Sequence, residues 1–165
     1  MKRLTWTVVL MAVLALFGCG DKPADEPETI EVTIGEEDAY QTAVFAQQRA
    51  EWEVLAEQGD ARSQRQLGIM YYLGQGIDID YATAAKWLSK AAEQGDDVGQ
   101  LTLGVMYSEG HGVPQNNVTA HMWFTLSAQQ GNPSARIRLD ELTPLMKEEE
   151  IAEAQKLAED WKPSY

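Results

Sequence analysis

Leu67-Gly68-Ile69-Met70-Tyr71-Tyr72-Leu73-Gly74-Gln75-Gly76 returns 36 residues later as Leu103-Gly104-Val105-Met106-Tyr107-Ser108-Glu109-Gly110-His111-Gly112. Working outward, the same offset carries Trp87 onto Trp123. It also carries Ala56-Glu57-Gln58-Gly59-Asp60 onto Ala92-Glu93-Gln94-Gly95-Asp96, and Ala128-Gln129-Gln130-Gly131-Asn132 is a third echo. A fixed period of this length means one supersecondary unit stacked on itself. Such an array offers a surface before it offers a reaction centre.

Each unit reads as two antiparallel helices. In the first, helix A spans about 61–73, with Leu67 and Tyr71 one turn apart on one face. Gly74 supplies the left-handed residue that ends it. Asp80 is placed to cap helix B, which spans about 81–94 with Ala84, Trp87 or Leu88, and Ala91 on its inner stripe. The second unit copies this through Leu103, Tyr107 and Gly110, an Asn116 or Asn117 cap, then Ala120, Trp123 and Ser127. Ser63, Gly99 and Ala135 share one repeat position, and Gly68 and Gly104 another; small side chains there let helices approach closely. Glycine inside a helix costs about 1 kcal/mol, so its recurrence implies a packing reason. Upstream, 40–58 reads as a lone helix B. Downstream, 134–142 reads as a third helix A, Thr143-Pro144 breaks the pattern, and a last helix runs to Trp161. That helix sets Ile151, Ala154, Ala158 and Trp161 opposite a charged face, as a terminal cap requires.

The formal net charge is −13, and none of the 26 acidic residues lies in the first 18. Such a body is repelled by phosphate backbones, which argues against nucleic-acid partners. A single cysteine excludes an intrachain disulfide and any cysteine-based metal site. It lies at the end of a signal-like segment. Lys2-Arg3 is followed by a mostly apolar stretch from Leu4 to Phe17, too short to span a bilayer, closing in Leu16-Phe17-Gly18-Cys19. This resembles a bacterial lipobox, although Phe17 is bulkier than that pattern prefers. The resemblance implies acylation of Cys19 and a covalent membrane anchor. Because Gly20 rather than an aspartate follows Cys19, it also implies sorting to the outer membrane, facing the periplasm. Residues 19–39 then read as an acidic tether reaching about 60 Å when extended. Within it, the alternation Ile30-Glu31-Val32-Thr33-Ile34 is also compatible with a docking strand.

The motifs Leu67-Gly68-Ile69-Met70-Tyr71, Gly74-Gln75-Gly76-Ile77 and Trp87 to Gly95, with their copies in the second unit, resemble the Sel1-like repeat family, a relative of the tetratricopeptide repeats. The resemblance implies an all-α, short right-handed helix-pair solenoid with a C-terminal capping helix. It divides the chain into 1–18 (signal peptide), 19–39 (tether) and 40–165 (repeat domain, units about 61–96 and 97–132). It also implies binding of other proteins rather than catalysis.

The residues themselves offer little chemistry. The two Gly-x-Gly loops follow helices and recur once per repeat, so they are turns and not phosphate cradles. His111, in a turn, and His121, on helix B, make a poor ligand set for a metal. No nucleophile motif is present, so the expectation is no catalytic residue, no metal and no cofactor. Trp52, Trp87, Trp123 and Trp161 read as packing. Arginine is scarcer: beyond residue 18 only Arg49, Arg62, Arg65, Arg136 and Arg138 occur. In the related repeats the A helices line a concave groove. That register implies a partner-binding set of Arg62, Arg65, Ile69, Tyr72 and Leu73 in the first unit, and Val98, Leu101, Val105 and Ser108 in the second. Arg136 and Arg138 fit it less well. A partly apolar lane with arginines suits a peptide bearing carboxylates. The competing reading pairs these arginines with local acids such as Glu57 or Asp96. The expectation is therefore a monomeric, lipid-anchored periplasmic scaffold for an unidentified protein or peptide partner. An envelope enzyme or ligand-binding subunit acting on peptidoglycan, and a surface-exposed factor contacting host proteins, are the alternatives.

Overall fold

The computed structural model describes residues 34–164. The readings on the signal segment, on Cys19 and on most of the tether lie outside these residues. Seven α-helices and one 3₁₀ turn follow in order: α1 (Ile34–Glu57), α2 (Ala61–Leu73), α3 (Tyr81–Glu93), α4 (Asp97–Glu109), α5 (Asn117–Gln129), α6 (Pro133–Leu142), the turn Thr143–Leu145, and α7 (Glu148–Asp160). No strand occurs among the described residues. Helix α1 begins at Ile34, so the last residues of the stretch read as tether are helical. The chain divides into Met1–Tyr40 and Gln41–Tyr165, and helices α2 to α7 lie entirely in the second of these units.

The repeated punctuation acts as its residue types dictate. Asp60, Asp96 and Asn132 cap the A helices, and Asp80 and Asn116 cap the B helices, each accepting from a backbone N–H two or three residues on. Gly74 and Gly110 end α2 and α4 at φ of 68° and 74°, in the left-handed region that glycine enters without strain. At the start of α7, the Glu150 carboxylate accepts from the Lys147 N–H at 2.9 Å, half of a capping box.

Packing explains the small residues. A Cβ on Gly68 would lie 2.5 Å from Leu88 Cγ, and one on Gly104 would lie 2.6 Å from the Phe124 ring. Each glycine thus seats a fully buried side chain of its own helix B. One core cluster joins Ala84, Ala85 and Leu88 of α3 to Met106 of α4; another joins Ala120 and Phe124 of α5 to Leu142 of α6. A third runs from Ala92 through Leu103, Trp123 and Leu126 to Ala158 of α7.

A glutamine ladder, with Gln64 and Gln100 buried at its base, threads the repeats. Gln64 Nε2 donates to the Ala56 carbonyl at 3.0 Å, and Gln94 Nε2 donates to Gln64 Oε1 at 2.7 Å. One unit on, Gln100 Nε2 donates to the Ala92 carbonyl at 3.2 Å, and Gln130 Nε2 to Gln100 Oε1 at 2.8 Å. Each pair satisfies an amide that burial would otherwise penalise.

The tryptophans are not equivalent. Trp123 is buried under α7, with the Trp161 ring edge-on at 6.2 Å. Trp87, at the same repeat position, is half-buried beneath the ammonium of Lys90, 4.5 Å from its centroid. It is a cation–π shelf rather than core, because it lies outside the cluster that Ala158 and Trp161 complete around Trp123.

Candidate partner-binding groove

The A helices α2 and α4 carry every residue of the expected groove, and the structure divides that set. Arg62 is exposed in the first turn of α2, at a cleft shared with Trp52 and Leu55 of α1. Leu73, 54% exposed, ends the same helix, about 16 Å away at 1.5 Å per residue. Between them Arg65 is half-buried and bound: its Nη1 lies 3.0 Å from Asp96 Oδ2. The other Asp96 oxygen caps α4 by accepting from the Gly99 N–H at 2.7 Å. Arg65 thus follows the competing reading and ties the first unit to the second. Ile69 packs against the cluster of Ala84, Leu88 and Met106.

In the second unit Leu101 and Val105 are half-buried against Ala120, Phe124 and Leu142. Val98 is half-buried too, and the Ser108 hydroxyl is turned inward to donate to the Val105 carbonyl at 2.8 Å. These residues form an apolar floor on α4, with α2 and α6 to either side.

Tyr72 is the most connected member of the set. Its ring centroid lies 5.4 Å from that of Tyr81, which stacks on His111 at 4.4 Å and 4°. Its hydroxyl donates to Glu109 Oε2 at 3.3 Å and lies 3.4 Å from His111 Nδ1, itself 3.1 Å from the same carboxylate oxygen. Burial, then the Glu109 charge, push the Tyr72 hydroxyl above the ordinary tyrosine range. It is therefore a hydrogen-bond donor at neutral pH and not a base. His111 meets one carboxylate here, and no group of three or more His, Cys, Asp or Glu side chains suited to a metal occurs among the described residues. The other histidine, His121, is buried on α5 within reach of Thr125 Oγ1.

Arg138 lies outside the expected set. It stands exposed on α6 beside Glu141 at 3.2 Å. The register of the expected set is carried forward from helices whose third copy has diverged: Asp140 stands where Gly68 and Gly104 do.

The Sel1 repeat model matches residues 61–96 and 98–132. Two solved structures are similar. A protective antigen present in uropathogenic Escherichia coli strains, displaying an SLR fold, is 26% identical over 68% of this chain, with a TM-score of 0.66. A Sel1 repeat protein from Oxalobacter formigenes is 38% identical over 55% of this chain, with a TM-score of 0.53. The chain spans 24% of the antigen's length and 68% of the Oxalobacter protein's. No curated protein matches.

Proposed function

Because this chain belongs to the Sel1 repeat family, whose repeats generally mediate contacts between proteins, we propose that it is a non-enzymatic adaptor that holds a peptide segment of a partner along α2, α4 and α6. One observation carries this reading. The Leu101–Val105 floor on α4 lies between the exposed arginines Arg62 of α2 and Arg138 of α6, while Arg65 and His111 are already engaged by Asp96 and Glu109. An apolar lane edged by exposed guanidinium groups, Arg138 being held only by the equally exposed Glu141, suits an acidic partner segment. The lipid anchor at Cys19 and the outer-membrane, periplasm-facing location are part of the same proposal and rest on the lipobox-like segment.

The test is in-cell crosslinking of the full chain. Arg62→Glu with Arg138→Glu should abolish partner capture while leaving thermal stability nearly unchanged, since both side chains are exposed and the Arg138–Glu141 pair is a surface one. Undiminished capture would overturn the groove assignment. Arg65→Glu is a poor probe, because it sets a carboxylate against Asp96. Separately, Cys19→Ser should release the protein from membranes, and continued membrane partitioning would overturn the anchor. Similarity to a protective antigen supports a second reading, exposure at the cell surface toward host proteins. Digestion of the protein by protease added to intact cells would favour it over a periplasmic location.

A further inference from the structure

The glutamine ladder ends in a cleft on the far side of the B helices. Its chemistry follows from the ladder's polarity, which is fixed at its base. The Ala56 carbonyl can only accept, so the Gln64 group facing it is the amide nitrogen, and Gln64 Oε1 is the atom left for Gln94. Gln94 must meet that oxygen with its own nitrogen, which leaves Gln94 Oε1 at the outer end. The same sequence from the Ala92 carbonyl through Gln100 leaves Gln130 Oε1 outermost. The direction of both amides is thus dictated by backbone carbonyls two links away.

Both outer glutamines line a cleft of 610 Å³, together with Gln129, Glu159, Trp161 and Pro163. The Ser164 N–H donates to the Glu93 carbonyl at 2.8 Å and folds the C-terminal segment over the end of α3 to close one side. No lysine or arginine lines the cleft. Its lining thus carries two glutamine amides whose nitrogens the ladder occupies, the Gln129 amide, a carboxylate and an indole, on a chain whose net charge is −13.

We propose that this cleft binds a basic side chain, arginine above lysine, on an extended segment of a protein partner. A guanidinium offers five N–H donors in a planar fork and no acceptor, which complements a lining with oriented acceptors and no cation. It also stacks on indole, and Trp161 is the one aromatic residue of the lining. The body's negative charge steers such a segment toward it. This site is separate from the groove of α2, α4 and α6 and has the opposite preference in ligand charge.

The test uses the full chain and a (Gly-Arg)₃ peptide, followed by calorimetry and by amide chemical shifts at Gly95, Gln129 and Gln130. The peptide should bind and shift those amides, and a (Gly-Glu)₃ peptide should not. Glu159→Lys, at an exposed position, should weaken binding at least tenfold. Glu149→Lys makes the same charge change near the opposite end of α7 and should weaken it less than threefold. Equal losses in the two variants would show general attraction to an acidic body and overturn the site. Loss on Arg62→Glu with Arg138→Glu, or shifts confined to α2 and α6, would place the peptide in the groove and likewise overturn it. Binding of chitobiose in place of the peptide would reassign the cleft to a glycan. Because the groove variants are a separate arm, failure here leaves the adaptor reading standing.

Discussion

Gly112 shows how much one residue can determine in this chain. Its φ is 70°, and a Cβ there would collide with the Tyr81 carbonyl of the preceding unit. Gly112→Ala should therefore destabilise by more than the about 1–2 kcal/mol that a left-handed alanine costs. It should also separate the stacked Tyr81 and His111 rings, visible as a change in the His111 proton shifts. Gly104 is a contrasting case. Alanine gains about 1 kcal/mol of helix propensity there, but the new methyl meets the Phe124 ring at 2.6 Å, and Phe124 is 1% exposed. Overpacking costs about 1–3 kcal/mol, so a net fall in melting temperature is expected; a rise would mean that Phe124 can yield. Asp96 acts twice, as the cap of α4 and as the partner of Arg65. Asp96→Ala should cost about 1–2 kcal/mol, and Asp96→Asn, which keeps an oxygen for the Gly99 N–H, should recover most of that in a denaturant titration.

At the scale of elements, what repeats was legible and what breaks register was not. Leu67, Met70, Leu88 and Ala91 and their copies at Leu103, Met106, Phe124 and Ser127 are buried because each unit solves the same packing problem. Asp80 was readable as a cap because its residue type declares the role, whereas residue type left Asn116 and Asn117 open and the structure selects Asn116. Helix α7 was visible as an amphipathic cap, but not its position. A third copy of helix B would begin at residue 153, whereas α7 begins at Glu148 and lies on α5, its tail reaching α3. Nothing periodic encodes that return, and so the different fates of Trp87 and Trp123 could not be read either. The groove was legible only in part, because Arg65 and Arg62 look alike in sequence, and pairing with Asp96 depends on how one unit meets the next. The tail makes its own prediction. Removing residues 161–165 takes away Trp161, uncovers Trp123 and frees the Glu93 carbonyl. The loss should be about 2 kcal/mol by apolar burial, and faster amide exchange should appear in α5 before α2.

The whole molecule's response to acid turns on His121. Hydrogen bonds from Ser63 and Thr83 hold the Asp60 and Asp80 carboxyls below the ordinary range. Their contribution is present above the unfolded value of about 3.9 and is lost only as pH falls through the lower folded value. The caps therefore stay intact between pH 7.5 and 5. His121 behaves differently. It is 5% exposed on α5, and burial pushes its imidazole below the ordinary histidine range. The unfolded chain takes up a proton at this residue near pH 6.5, while the folded chain resists until lower pH. Over that interval the unfolded state binds more protons, so stability falls as pH falls. Acidification also relieves the self-repulsion of a chain at −13, which acts in the opposite sense and on every variant alike. The informative quantity is thus a difference. The melting temperature of the parent chain minus that of a His121→Gln variant should drop steadily from pH 7.5 to 5. Glutamine is chosen because it cannot titrate and can still meet Thr125 Oγ1, which lies 3.3 Å from His121 Nδ1. Parallel curves across that range would mean that the folded chain protonates His121 as readily as the unfolded one, and that the packing of α5 admits the charge.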